Sequence, residues 1–446
     1  MLPKSSELLM FGFKKTIFSM LLIAAASTVF ANSFPLASEE EIPNLRWKAG
    51  IIRIAVSSSL LREIPNIKRD SDVSGAIARS IDAWAAVANI EIQETSSDKQ
   101  SASPAGLAGD GVSLVTIAAT PENVLLFAKD PENAAATTRV FYNKRGMITE
   151  ADIVLNPYLQ FSTDGTIGTF DLESTLTHEI GHLLGLPHSP VFGSTMHANY
   201  GKNGVFGLQN FTSRTLAADD IAAVRALYGG RSEDSECCGN IAGSILLGTK
   251  SARNFEVWIE DSNGRVNAST RSSDGEFHFS GVNAGKYRVF AQDTVLSKSS
   301  VAAREIGEAV VASGETTTVA AKAVMSLRDV ELTYLGFNGQ LSEVAVSLSA
   351  GRTYVIYLGG KNLDPKRLFV TFTTPYISVV PGSMRSLDYG DQVSVVSLEV
   401  RVSPRATKGE YTVFAESERG GRRAIIGGLT IDNFTNPWNT FGTSEE

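Results

Sequence analysis

Eleven residues, His178-Glu179-Ile180-Gly181-His182-Leu183-Leu184-Gly185-Leu186-Pro187-His188, set three imidazoles and one carboxylate at spacings that suit a single metal ion. On a helix, His178 and His182 are four residues apart and project from one face, a separation that suits zinc. Glu179 lies beside that face, where a carboxylate can take a proton from a water at the metal and return it to a leaving group. Gly185 can adopt the left-handed backbone that ends a helix, and the turn it permits swings His188 back as a third ligand. Three protein nitrogens leave the fourth tetrahedral position to water, which is the catalytic rather than the structural arrangement. A plain amphipathic helix with surface histidines would explain neither Gly185 nor His188.

The elements that must hold these groups are legible nearby. Leu172, Leu176, Ile180, Leu183 and Leu184 recur at helical spacing between Phe170 and Leu184, with Thr169 or Asp171 as the N-cap. Upstream, Ile77, Ile81, Trp84 and Val87 give Ser74 to Val87 an apolar helical face. Val112 to Ala118 and Arg139 to Tyr142 read as strands.

The segment HEIGHLLGLPHS resembles the metzincin zinc peptidases, and among them the matrixins. Met196, eight residues beyond His188, is similar to the Met-turn that runs beneath the zinc in that clan. Tyr200 stands where matrixins carry a tyrosine in the wall of the S1′ specificity pocket. Leu216 to Gly229 resembles the last matrixin helix, so Asp219 and Asp220 would be structural, one of them tying that helix to the Met-turn; acidic residues in a first helical turn read equally well on their own. The resemblance implies a zinc-dependent endopeptidase acting on protein or peptide substrates. It covers roughly residues 47 to 230, about two fifths of the 446-residue chain.

Three departures matter. The chain has five histidines, at 178, 182, 188, 197 and 278, and none precedes the motif, so a second structural zinc is not expected. Ala198 stands where a proline is common after the Met-turn methionine. No cysteine precedes Cys237, so no cysteine-switch propeptide is expected. Calcium is implied by the resemblance alone, with Asp152, Asp164 and Asp171 as nearby carboxylates and no EF-hand-like spacing.

A net charge of −8 and a sequence pI near 5.4 speak against non-specific nucleic-acid binding. Lys14 and Lys15 precede an apolar run from Thr16 to Phe30, which reads as a secretory signal peptide over residues 1–31 rather than a membrane anchor. Export follows, with periplasm, cell surface and medium all open as destinations. A short N-terminal segment, 32–46, leads into the catalytic domain, 47–230. Cys237 and Cys238 sit in a polar linker, 231–240. Neighbouring Cα atoms are about 3.8 Å apart, closer than the roughly 4.4–6.8 Å of an ordinary disulfide, so a bond between the two would be strained although an oxidising compartment favours one; the plainer reading is a linker detail.

Beyond the linker the period changes from helical to alternating. Ile241 to Leu247, Phe255 to Ile259, Glu276 to Val282 and Lys286 to Ala291, separated by Asn-Gly, Asp-Gly and Ala-Gly turns, resemble a prealbumin-like β-sandwich over 241–322. His278 alternates with Phe277 and Phe279 and is expected to face outward. Glu331 to Leu335, Arg352 to Leu358, Leu368 to Thr373, Val393 to Val402 and Glu410 to Ala415 suggest an immunoglobulin-like sandwich over 323–433, followed by a loose tail, 434–446. The fold class expected is an α/β metzincin domain with a twisted mixed sheet, followed by two all-β sandwiches. Such modules bind cell surfaces, matrix or glycans, or space an enzyme from them. The competing reading is therefore an adhesion or glycan-binding protein with a vestigial peptidase domain; a hydrolase of some non-peptide bond is a third.

Overall fold

The computed structural model describes residues 29–30, 45–48, 50–104, 108–235, 237–247, 250–251, 254–272, 274–294, 299–322, 325–327, 329–390 and 392–431. The expected leader lies outside these residues except for Val29–Phe30, as do the tail and most of the N-terminal segment. Among the described residues, no helix is long and apolar enough to cross a membrane.

A seven-stranded mixed sheet organises the first half. Its order is Val29–Phe30, Ala136–Tyr142, Met147–Leu155, Leu114–Thr116, Ile51–Ser57 and Glu91–Ser97, with Arg46–Trp47 also pairing with Met147–Leu155. Met147–Leu155, Leu114–Thr116, Ile51–Ser57 and Glu91–Ser97 run parallel, and Ala136–Tyr142 runs antiparallel to Met147–Leu155. Val29 and Phe30, at the end of the expected leader, pair antiparallel with Val140 and Arg139. The outer backbone groups of Ala136–Tyr142 are an unfilled ladder, and two apolar residues in extended form satisfy part of it.

The first half also holds four helices: α1 (Val73–Ala85), α2 (Pro121–Leu125), α3 (Leu172–Leu183) and α4 (Ala218–Tyr228). α1 begins at Asp72, whose side chain accepts the Gly75 N–H, and buries Ala76, Ile77, Ile81 and Trp84. α3 begins at Asp171, whose side chain accepts the Ser174 N–H, so of the two expected caps Asp171 is the one used. Arg214 pairs with the same carboxylate at 2.5 Å, which fixes the helix start. Leu172, Leu176, Ile180 and Leu183 join Trp84, Ile153 and Phe161 in one core, where each buried aliphatic side chain contributes about 2 kcal/mol. Two carbonyls at the end of α3, which have no partner within the helix, are met from far away in the chain. The Trp47 indole donates to Leu183 O at 2.8 Å and the Tyr228 hydroxyl to Leu184 O at 2.6 Å.

The second half is entirely β. Gly239–Leu247 pairs with Lys250–Ser251, Glu276–Val282 and Thr316–Lys322, and faces a second sheet ordered Val266–Arg271, Phe255–Glu260, Gly285–Asp293, Arg304–Val311. Ile241, Ile245, Phe277, Phe279, Val257 and Val289 fill the space between them. His278 is exposed between its buried neighbours. Arg304–Val311 and Thr316–Lys322 escape sequence reading because Ala, Glu and Thr blur their alternation. From 329 to 431, a six-stranded sheet built on Thr353–Lys361 and Ser394–Val402 faces a four-stranded sheet of Val346–Leu348, Arg422–Ile431, Gly409–Ser417 and Leu368–Thr371. Cys237 and Cys238 are joined to one another by a disulfide.

These units share a core rather than hanging from linkers. Val191 from the first half, Trp258, Val266 and Phe290 from the middle, and Phe414 and Ile426 from the last sheets form one buried cluster. α4 lies against Glu276–Val282 so closely that a Cβ at Gly281 would come within 2.3 Å of Ala222 O. Such shared burial couples the units energetically, as an extended linker would not.

Candidate metal centre

α3 presents His178 and His182 from adjacent turns, and Gly185, with φ of 98°, turns the chain back so that His188 joins them. The three imidazoles offer ligand atoms that all lie within 4.8 Å of one another. Among the described residues this is the group of histidine, cysteine and carboxylate side chains that converges so closely. Gly185 has a second constraint: a Cβ there would stand 2.2 Å from Leu45 O.

The ring orientations suit metal binding. His178 Nδ1 is 2.7 Å from Thr195 O, and His182 Nδ1 is 2.8 Å from Leu186 O. A carbonyl can only accept, so each Nδ1 carries the proton and each Nε2 keeps a free lone pair. His182 Nε2 lies 3.1 Å from His188 Nε2, close enough for both nitrogens to reach one shared cation. Burial holds His182 at about 4 and His188 at about 3, and His178 well below its usual value, so all three are neutral donors at neutral pH. The donor set therefore fits a zinc ion with one open position.

Glu179 is buried beside the triad. Burial pushes its carboxyl up to about 8, against a hydrogen bond from Thr138 that favours the ionised form. A cation among the three imidazoles would draw it back towards the carboxylate. Thr138, on the edge strand, reaches Glu179 Oε2 at 2.5 Å and Glu179 O at 3.1 Å. Nothing in the sequence marked Thr138, because a threonine in a β run is ordinary.

Met196 is 1% exposed and lies directly under α3. A Cβ at Gly181 would come within 2.2 Å of its sulfur, so the first glycine of the segment is what lets methionine and helix approach. Asp220 spans from α4 to this turn: it accepts from Ser194 Oγ, from Thr195 N–H at 2.8 Å, from Met196 N–H at 3.1 Å and from Ala217 N–H at 2.9 Å. Asp219 accepts from Ser189 Oγ, next to His188, and from Ser269 of the middle sheets. Tyr200 lies with its ring centroid 5.1 Å from that of His178, and its hydroxyl is held by the Ala136 backbone. His197 is not part of the metal group; its ring contacts Ser189 O and Glu343 O and stacks on Phe192.

The carboxylates considered for calcium are otherwise engaged. Asp152 accepts the Ser103 and Leu114 N–H groups, Asp164 pairs with Lys68, and Asp171 caps α3. They do not gather into a common site.

Residues 120–229 match the matrixin peptidase family. Metalloendoproteinase 1 of Glycine max is 29% identical over 196 residues, which is 41% of this chain and 53% of that protein. Metalloendoproteinase 1-MMP of Arabidopsis thaliana is 30% identical over 193 residues, 40% of this chain and 46% of that protein. Matrilysin of Mus musculus is 38% identical over 72 residues, 16% of this chain and 25% of that protein. The chain thus spans about half the length of the two plant relatives.

Proposed function

Because this chain carries a matrixin-like metzincin domain, we propose that it is a zinc-dependent endopeptidase that hydrolyses peptide bonds in protein substrates. The observation that carries the proposal is the convergence of His178, His182 and His188 with Glu179 buried beside them. In this reading the three histidines hold the metal through Nε2. Bound zinc would supply Lewis acidity towards the scissile carbonyl and make water a nucleophile near neutral pH. Glu179 takes the proton from the attacking water and delivers it to the leaving amine, so one carboxylate serves as base and then acid. Thr138 keeps that carboxylate from swinging away between the two transfers.

The chain's own strands supply the substrate seat. Ala136–Tyr142 is the edge of the sheet beside Glu179, and its outer ladder accepts an extended segment antiparallel, as the pairing of Val29–Phe30 illustrates. Tyr200, between His178 and the start of that edge strand, forms the wall against which a substrate side chain rests. Met196 and Asp220 keep the floor rigid, and Asp219 anchors the loop that follows His188. Calcium stays outside this mechanism, since no step calls on it.

We further read the apolar run Thr16–Phe30 as a leader, so the enzyme acts after export, and the two all-β units as a prealbumin-like and an immunoglobulin-like sandwich. The intact triad and Glu179 speak against a vestigial peptidase retained for the sake of adhesive modules. Casein cleavage by the full chain, abolished by a zinc chelator and restored by added zinc, is the expected result. Cleavage indifferent to the chelator, or none from zinc-loaded protein, would contradict it.

A further inference from the structure

The loop that leaves His188, passes Met196 and runs through Tyr200 to α4 is not supported by the peptidase domain alone. It is fastened at three points to the sheets of residues 329–431. Phe192 N–H donates to Ile426 O at 2.9 Å. Glu343 takes two residues at once: its backbone oxygen is 3.0 Å from His197 Nε2, and its carboxylate accepts from Asn199 Nδ2 at 2.7 Å. Gln340 accepts the Phe206 N–H through its side-chain oxygen, while Asn338 Nδ2 donates to Phe206 O at 2.7 Å. Phe206 itself is 2% exposed, has a left-handed φ of 57°, and is buried in the hydrophobic core of the C-terminal sheets.

These fastenings bracket Tyr200 on both sides. Asn199 precedes it directly and Phe206 follows within two turns of chain, so the ring that leans on His178 is strung between two anchors on another unit. Behind Tyr200 lies a cavity whose lining is shared. Thr195, Tyr200 and Leu208 come from the loop; Val344, Ala345 and Ser347 come from the C-terminal sheets. Four of its lining residues, Val344, Ala345, Ser347 and Thr430, thus come from outside the peptidase domain.

We infer that the C-terminal β unit is a specificity-determining part of the peptidase site. Gln340 and Glu343 act as positioning residues that fix where Tyr200 stands beside His178, and Val344 and Ser347 close the cavity behind it. The substrate residue on Tyr200's side of the cut is thereby selected in part by a unit outside the catalytic domain. These few anchors are enough for this, because a wall displaced by an ångström changes the relative rates of competing substrates strongly. The inference rests on the peptidase reading above.

The test uses the full zinc-loaded chain, as wild type, Gln340→Ala and Gln340→Glu. Two quantities are measured: kcat/KM for a peptide set varied only at the residues flanking the cut, and amide hydrogen exchange across 198–210. Gln340→Ala should change the ratio between best and worst peptides by roughly tenfold and speed exchange across the loop, with zinc retained. Gln340→Glu keeps an acceptor oxygen for the Phe206 N–H and should restore both. An unchanged peptide ranking with unchanged exchange in Gln340→Ala overturns the inference. Failure of the peptidase reading looks different: the wild type then cleaves no peptide, the specificity role falls with it, and exchange alone decides whether the unit positions the loop.

Discussion

The hydroxyl of Thr138, on the edge strand, reaches Oε2 of Glu179 on α3 at 2.5 Å, across 41 residues of chain. In the proposed mechanism, the residue that holds the Glu179 carboxylate thus stands on the strand along which a substrate would lie. Replacing Thr138 with Val keeps the shape and removes the bond. A hydrogen bond to a charged group is worth about 1.5 to 3 kcal/mol, so kcat/KM should fall by about tenfold or more. Zinc content should be unchanged. Activity equal to wild type in Thr138→Val would remove Thr138 from the account.

Asp220 offers a sharper structural effect. It is fully buried, and four donors converge on it from the Met-turn and from the start of α4. Asp220→Ala leaves those donors without an acceptor, at about 1 to 3 kcal/mol for each that water cannot reach. We expect a stability loss of about 3 kcal/mol or more in urea unfolding, with weakened zinc binding because Thr195 O orients His178. A loss below about 1 kcal/mol would mean that the turn is held by packing instead.

Gly185 cannot be replaced cheaply. Its φ of 98° is strained for any L side chain, and a Cβ would meet Leu45 O at 2.2 Å. In Gly185→Ala the turn must open, which moves His188 away from His182. The expected outcome is a zinc affinity reduced at least tenfold in chelator competition, with His178 and His182 still in place. Undiminished affinity would show that His188 reaches the site without this turn.

Stability should also depend on pH through the junction between units. Burial first, and then the nearby Asp220, push the Glu410 carboxyl up to about 8 from an ordinary 4.5; Asp219 adds to this and Lys408 opposes it. The folded chain therefore keeps a proton that the unfolded chain releases. That contribution is complete below about pH 4.5 and is lost as pH rises through about 8. Asp219, pushed up to about 6 by burial and by Asp220, has the same sign. Glu410→Gln should lose less stability than wild type between about pH 5 and pH 8 in denaturant titrations. Equal slopes for the two proteins would contradict it.

How much of this was legible in the sequence follows from the range of each interaction. The metal triad could be read because helix periodicity and one turn glycine bring His178, His182 and His188 together within eleven residues. α1 and α3 were readable for the same reason, to within a residue or two at each end. The support of the site was not. Thr138 and Glu179 meet across a sheet-to-helix contact, and Trp47 closes the end of α3 from 136 residues away. The cluster of Val191, Trp258 and Phe414 was not legible, because apolar residues at an inter-unit face alternate like any core strand. Nothing local marks Glu343 and Gln340, whose partners lie more than 130 residues upstream.

The most direct test of the central claim is zinc content and casein cleavage measured together on wild type and on Glu179→Gln. The account predicts an equivalent of bound zinc in both proteins, held by His178, His182 and His188, with cleavage only by the wild type. Cleavage by the variant at the wild-type rate, with zinc bound, would contradict the role given to Glu179 and with it the proposed chemistry.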